Sequence, residues 1–321
     1  MLIAVEILII GMMAYSLHFG GNGSPAASGA GEIVHAPAFG AAIMPVAAGP
    51  APDVRIDDPQ SEVEVTVSND GLVHVEDKTE LRGWFSSPAF PPLHVARTLG
   101  GVQIERANYD SNFIGSSTQE IDVAVPAGAR VTIGHCSGAE VRGLHNAVDV
   151  ASQDGHIGVH DIVGNVVART DDGHIDADGI TADSVTLHSD DGHLSIARIT
   201  ASVLAADTSD GHIDATGLTM QGASPRLTLA SDDGSVHASG LFPANGSYDV
   251  SSKDGKVQVG LAAGSNVTVD ASASDGIEID GHSYGDDDDS ATRSIRVGDG
   301  SASMRVRTED GSVHITTNGV L

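Results

Sequence analysis

Residues 185–196 read Val-Thr-Leu-His-Ser-Asp-Asp-Gly-His-Leu-Ser-Ile. Val185 and Leu187 alternate with polar residues, Asp190-Asp191-Gly192 interrupts them, and Leu194 and Ile196 resume the alternation. Period-two alternation on both sides of an Asp-Gly step predicts strand, tight turn, strand. Asp-Gly favours such a turn because glycine accepts positive φ and aspartate can bond back to the local backbone. The step recurs at Asp154-Gly155, Asp172-Gly173, Asp191-Gly192, Asp210-Gly211, Asp233-Gly234, Asp254-Gly255, Asp275-Gly276 and Asp310-Gly311. From Gly155 to Gly276 the glycines are 18, 19, 19, 23, 21 and 21 residues apart. A period of about 20 residues marks a repeat architecture. A second turn closes units at Asp178-Gly179, Thr216-Gly217 and Ser239-Gly240, so each unit has two short strands and two turns.

A meander of hairpins and a solenoid of stacked coils both fit this unit. Near-constant period and near-identical units favour the solenoid, in which equivalent strands stack in parallel about 4.8 Å apart. The expected fold class is all-β: a β-solenoid, like a parallel β-helix, of two-strand coils about 20 residues long, preceded by an N-terminal apolar helix. Composition agrees. Aromatics are 3% of 321 residues, while Gly numbers 39, which suits thin layers of Val, Ile, Leu and Ala ladders. The pattern extends upstream in weaker form, at Ser137-Gly138 and at Asp70-Gly71 within residues 63–75. Residues 76–115 break it and hold Trp84, Phe85, Phe90 and three prolines. Terminal repeats are usually atypical because an open end must be capped, so 53–135 are expected to form atypical N-terminal coils. Asp286 to Asp289 reads as an exposed acidic loop.

Outside the repeats, residues 2–19 (LIAVEILIIGMMAYSLHF) are almost long enough to span a bilayer, which takes roughly 20 apolar residues. An uncleaved membrane anchor over 1–19 is the preferred reading, with the soluble domain extracytoplasmic in the cell envelope. A cleaved signal peptide is the alternative, with Ser28-Gly29-Ala30 as small residues before a cut. Residues 20–52 have the Gly/Ala/Ser/Pro composition of a linker, leaving 53–321 as the repeat domain. The formal charge of −28 opposes contact with nucleic acid and anionic lipid, both of which need basic surfaces. One cysteine, Cys136, allows no internal disulfide and no CxxC chemistry; a small packed residue is expected there.

Two stretches carry a family resemblance. Residues 121–130 (Ile-Asp-Val-Ala-Val-Pro-Ala-Gly-Ala-Arg), with Ser137-Gly138 after them, resemble the entry of a bacterial adhesin-like family built from β-strand repeats, whose function is unassigned. Residues 304–315 (Met-Arg-Val-Arg-Thr-Glu-Asp-Gly-Ser-Val-His-Ile) are similar to its closing repeat. The resemblance covers about 54–321 and implies the repeat fold and an exported or singly anchored protein. It brings no catalytic residues. The residue after the turn glycine departs from the family pattern, being His in four successive repeats.

Those histidines are His156, His174, His193 and His212, flanked by Asp154, Asp172, Asp191 and Asp210. Their apolar neighbours Ile157, Ile175, Leu194 and Ile213 must face inward, so the histidines face out, about 4.8 Å apart if coils stack. A solvated turn row is the simplest reading. Imidazole and carboxylate together also suit Zn²⁺, Ni²⁺ or Cu²⁺, although a flat row rarely closes a tetrahedron. A pH-responsive row is a third reading, since imidazoles titrate near neutrality. For Ca²⁺, the glycine-rich nonapeptide and the EF-hand loop are both missing. A divalent metal is therefore the one cofactor class left open. A polysaccharide-active β-helix enzyme would need a groove, sugar-stacking aromatics and a distinct carboxylate pair, and the repeats offer none of these. HExxH, Walker and dinucleotide motifs are missing. The expected function is a non-enzymatic, envelope-anchored adhesin-like or scaffold module with a protein or glycan ligand.

Overall fold

The structure, a computed structural model, describes residues 41–85, 91–107, 113–285 and 290–317. The segment 1–19 expected to be helical and the acidic loop 286–289 lie outside these residues. Every regular element described is a strand, and no helix among the described residues is long and apolar enough to cross a membrane.

Alternation produces the coil as expected. The strand before each Asp-Gly turn pairs in parallel with its counterpart in the next coil: Val166–Thr170 lies between Val148–Ser152 and Thr181–Ser189. The strand after the turn does the same: Ile175–Asp178 lies between Ile157–His160 and Leu194–Ala197. The result is one solenoid-like sheet of 27 strands. Three buried files fill it. Val148, Val166, Val185 and Leu204 come from the strand before the turn, and Ile157, Ile175, Leu194 and Ile213 from the strand after it. Leu144, Ile162, Ile180, Ile199 and Leu218 form the third file, behind the closing corner. Burying each such side chain is worth roughly 1.5–3 kcal/mol, so the ladders are the main source of cohesion. The closing corner is left-handed in successive coils, at Gly143, Asp161, Gly179, Arg198 and Gly217, with φ of 76, 54, 70, 52 and 64°.

The Asp-Gly turn works differently from the expectation. Gly155, Gly173, Gly192, Gly211, Gly234 and Gly255 do not have positive φ. Glycine is required there because the coils touch. A Cβ added to Gly173, Gly192, Gly211 or Gly234 would lie under 3.0 Å from the carbonyl of the turn glycine one coil earlier. Three residues before each glycine stands a buried hydroxyl that donates to that same carbonyl. Ser189 Oγ reaches Gly173 O at 2.9 Å, Thr208 Oγ1 reaches Gly192 O at 3.0 Å, Ser231 Oγ reaches Gly211 O at 2.8 Å and Ser252 Oγ reaches Gly234 O at 2.7 Å. The working motif is thus Ser/Thr-x-Asp-Gly, visible as Thr170, Ser189, Thr208, Ser231, Ser252 and Thr308 before their glycines. Among the described residues no hydrogen bond joins the carboxylates of Asp154, Asp172, Asp191 or Asp210 to the turn backbone. Inter-coil backbone bonds hold it instead, such as Asp191 N to Asp171 O at 3.0 Å and Asp210 N to Asp190 O at 3.0 Å.

Coil order departs from sequence order at both ends. The file of strands before the turn runs Gly101–Glu105, Asp53–Asp57, Arg130–His135, Val148–Ser152, Val166–Thr170, Thr181–Ser189, Thr200–Thr208, Arg226–Ser231, Ser247–Asp254, Ala302–Asp310, Val267–Ala273. At about 4.8 Å per step this stack is about 50 Å long. Asp53–Asp57 is therefore flanked by later sequence, and the C-terminal coil is wedged between two earlier ones. Outside these coils the pairing turns antiparallel. His94–Arg97 covers Gly101–Glu105, and Val73–Asp77 covers Glu120–Val125, with Ala41–Val46 beyond it. At the other end Ala291–Val297 covers Val267–Ala273, and His282–Tyr284 covers Ile277–Ile279. Arg97, Arg293 and Arg296 put charge on these edges, a common way of discouraging further strand addition. Ala41–Val46 falls inside the stretch of linker composition, 20–52. In the irregular part of the chain, Glu80–Phe85 and Phe113–Thr118 make a separate two-stranded ribbon.

Gly192→Ala is expected to destabilise by about 1–3 kcal/mol or more, because the inter-coil spacing cannot open locally. Ser189→Ala should cost about 1 kcal/mol through one lost hydrogen bond. Urea unfolding of both variants checks these values, and an Ala at 192 as stable as wild type would contradict the stacking argument.

Candidate functional site

Two outward surfaces gather titratable side chains. The first is the turn row. Parallel register aligns Ile157, Ile175, Leu194 and Ile213, and so places His156, His174, His193 and His212 one above another, all exposed. Backbone bonds lock the row, with Ile157 N to His174 O at 2.9 Å, Ile175 N to His193 O at 3.0 Å and Leu194 N to His212 O at 2.9 Å. The rings meet edge-on in two pairs, His156–His174 with centroids 6.4 Å apart and His193–His212 at 6.2 Å. His212 Nδ1 accepts from Ser235 N at 3.2 Å, which ties the last ring to the next coil.

Beside the rings, Asp154, Asp172, Asp191 and Asp210 form an exposed acidic row. Partial desolvation and the charges of Asp210, Asp172 and Asp190 push the Asp191 carboxyl above its ordinary value of 3.8. The stack thus turns a residue repeated in sequence into a file of like charge.

The second surface lies at the end that holds the early coils, and the sequence reading missed it. Glu62 and Glu64 point outward beside Glu120 and Asp122, their register partners. Glu62, Glu64 and Glu120 border a groove of about 260 Å³ with Glu140 and Arg142 of the next coil. One carboxylate oxygen each from Glu64, Glu120 and Asp122 lies within 4.8 Å of the others, the only three-ligand grouping of this kind among the described residues. Lys78 neutralises part of it, with Nζ 3.1 Å from Glu120 and 2.5 Å from Asp122. Those two carboxylates, Asp122 first, hold the Lys78 ammonium well above its usual range. The outward acids were legible from alternation. Their convergence was not, because it needs Glu62–Val67 to lie beside Glu120–Val125 across a chain reversal.

Elsewhere on the outside, histidine bridges coils to acids: His135 to Asp57 at 3.0 Å, His160 to Glu140 at 2.8 Å, His188 to Asp207 at 2.5 Å and His237 to Asp214 at 3.0 Å. Cys136 is buried against the carbonyl of Ala151, and burial pushes its thiol up to about 11, so it behaves as the packed residue expected.

The family model described as Toastrack DUF4097 matches residues 52–316. The chain belongs to the Toastrack family. Among solved structures it is similar to a "putative adhesin" from Bacteroides fragilis NCTC 9343, at 11% identity and a TM-score of 0.40 over 83% of this chain and 94% of that one. A second "putative adhesin", from Parabacteroides distasonis ATCC 8503, shares 13% identity at a TM-score of 0.44 over 82% and 93% of the two chains. A "putative cell adhesion protein" from Clostridium sporogenes ATCC 15579 shares 11% at 0.22, over 89% and 98%. No curated protein matches the chain. The Toastrack match includes both the turn row and the acidic groove, so both surfaces sit on the family's repeat body.

The like-charge file of this Toastrack protein should carry a cost in stability. Asp191→Asn keeps the turn and removes one repelling charge, so it should melt higher than wild type at pH 7. Because the folded carboxyl titrates above its ordinary value, wild type gains stability as pH falls through that range, and the difference should close there. Thermal melts between pH 3 and pH 7 test both points.

Proposed function

We propose that this Toastrack protein is a non-enzymatic, envelope-anchored module that displays an extended, rigid, acidic surface to a protein or glycan partner. The single observation that carries this reading is the unbroken ladder. Successive coils hold outward side chains in straight files over about 50 Å, a geometry suited to multi-point contact with an extended or repeating partner. The apolar segment 1–19 would tether the body to a membrane, and the charge of −28 favours partners that tolerate or seek acidic surfaces. A pulldown and a glycan array with the full chain test it. Specific capture of one ligand class supports the reading, whereas turnover of a polysaccharide that is lost on a single Asp substitution would replace it with an enzyme.

Cation binding by the turn row is a second reading, favoured by the register that aligns four histidines beside four aspartates. Calorimetric titration with Zn²⁺ or Ni²⁺ should show binding that disappears when His156, His174, His193 and His212 are all changed to Ser. Equal weak binding in both proteins would leave the row as a solvated surface.

A further inference from the structure

Register places the four turn histidines in one file, yet their side chains divide it into two pairs. The rings of His156 and His174 meet edge-on with centroids 6.4 Å apart, and those of His193 and His212 at 6.2 Å. Among the described residues no such contact joins His174 to His193. Two imidazoles on one ion, with bonds of about 2.0–2.1 Å, need their nitrogens about 3 Å apart. All four side chains are exposed. Strands about 4.8 Å apart bring such rings within that reach by side-chain rotation, with no movement of the backbone.

The two pairs are not equivalent. Among the described residues no hydrogen bond or ion pair engages the ring nitrogens of His156 or His174, so each neutral ring keeps a free lone pair. His212 Nδ1 instead accepts from Ser235 N at 3.2 Å and lies 3.3 Å from Ser235 Oγ. The neutral His212 ring then carries its proton on Nε2, so an ion there must displace that bond or that proton. Neither pair has a third protein ligand converging on it, since the one three-ligand grouping among the described residues is Glu64, Glu120 and Asp122. The exposed carboxylates of Asp154, Asp172, Asp191 and Asp210 supply negative potential beside the rings.

We infer that His156 and His174 are the primary ion site of the row, a two-imidazole chelate for Cu²⁺ with water in its remaining positions, and that His193 and His212 form a weaker second site. The inference deepens the cation reading of the turn row and rests on it. Two nitrogens beside open positions suit the tetragonal N/O preference of Cu²⁺, which also heads the affinity order of the divalent ions. A structural Zn²⁺ site takes four ligands in a closed tetrahedron, which this row does not supply. Exchangeable waters on the ion leave room for a donor atom from an arriving partner. The loaded row then makes contact through the ion as well as through its charge.

The full chain in neutral detergent is titrated with Cu²⁺ and, separately, with Zn²⁺. Calorimetry reads affinity, and electron paramagnetic resonance of the first Cu²⁺ counts its imidazole nitrogens by their hyperfine structure. Two nitrogens are expected, with Cu²⁺ bound more tightly than Zn²⁺. His156→Ser with His174→Ser should weaken the tightest equivalent several-fold or more, whereas His193→Ser with His212→Ser should leave it unchanged. The crossed variant, His174→Ser with His193→Ser, should weaken it as the first does. Circular dichroism checks that each variant keeps its β-structure. Weakening by the second variant as large as by the first, or a first ion with one or with more than two imidazole nitrogens, overturns the pair inference and leaves the cation reading standing. Zn²⁺ bound as tightly as Cu²⁺ overturns the assignment to copper. A tightest equivalent that survives replacement of all four histidines by Ser overturns both the inference and the reading beneath it.

Discussion

The close contact between turn glycines governs the rest of this fold. From Gly173 onward each stacked Asp-Gly turn sits against the carbonyl of the glycine one coil earlier, and Gly155 sits against that of Ser137, where no Cβ fits. A buried hydroxyl then satisfies that carbonyl from three residues upstream. An unpartnered carbonyl at this depth would cost roughly 1–3 kcal/mol per coil, so glycine and hydroxyl are needed together. The pair also fixes the axial register. Once Gly173 and Gly192 touch, Ile175 and Leu194 must align behind them, and His174 and His193 in front. The apolar ladders supply most of the energy, and the turn contact decides which residues share a file.

This contact explains which Asp-Gly steps belong to the stack. Asp70-Gly71 has the same letters, yet its glycine takes φ 74° with open space around it, and the chain leaves for an antiparallel edge. Gly276 likewise adopts positive φ, at 97°. The neighbour of Gly255 along the rod is Gly311, whose carbonyl contact and Thr308 hydroxyl fit the central pattern. Wedging the last coil between earlier ones makes the C-terminal unit a pin that holds the outermost coil. The first coil has the same role at the other end, where Arg106 ties Asp58 to Asp77 at a cost in desolvation that raises the Asp58 carboxyl.

Much of this was legible in the sequence, for physical reasons. Period-two alternation around Asp-Gly specified the strands, their inward residues and the outward histidines, because pleat geometry allows no other placement. The irregular stretch 76–115 also announced itself. Its meaning did not, since a reversal of coil order leaves no local signal in composition or spacing. The Glu64, Glu120 and Asp122 grouping was hidden for the same reason: two strands far apart in sequence meet only because Asp53–Asp57 and Glu62–Val67 lie between later coils. The turn mechanism was misread because Asp-Gly has a strong local explanation, positive φ with a side-chain bond. Here the long-range explanation prevails.

That substitution of mechanisms bears on the acidic surface. If the turn needed an aspartate to cap its own backbone, the row of carboxylates would be a by-product of folding. The stacked turns are held by backbone bonds between coils and by the Ser/Thr hydroxyls instead. Asn-Gly builds tight turns as well as Asp-Gly does, without charge, and this chain uses Asn-Gly elsewhere, at Asn245-Gly246. Carrying Asp at every stacked turn sets like charges one coil apart, and partial desolvation together with these neighbouring charges raises the Asp191 carboxyl. Such a file sets like-charge repulsion against the close stacking of the turns. The acidity is therefore a property laid onto the surface over a turn that does not require it. Its consequences lie in what approaches the rod: anionic polymers and copies of the rod are repelled side-on, while cationic or polyhydroxylated partners meet no such barrier.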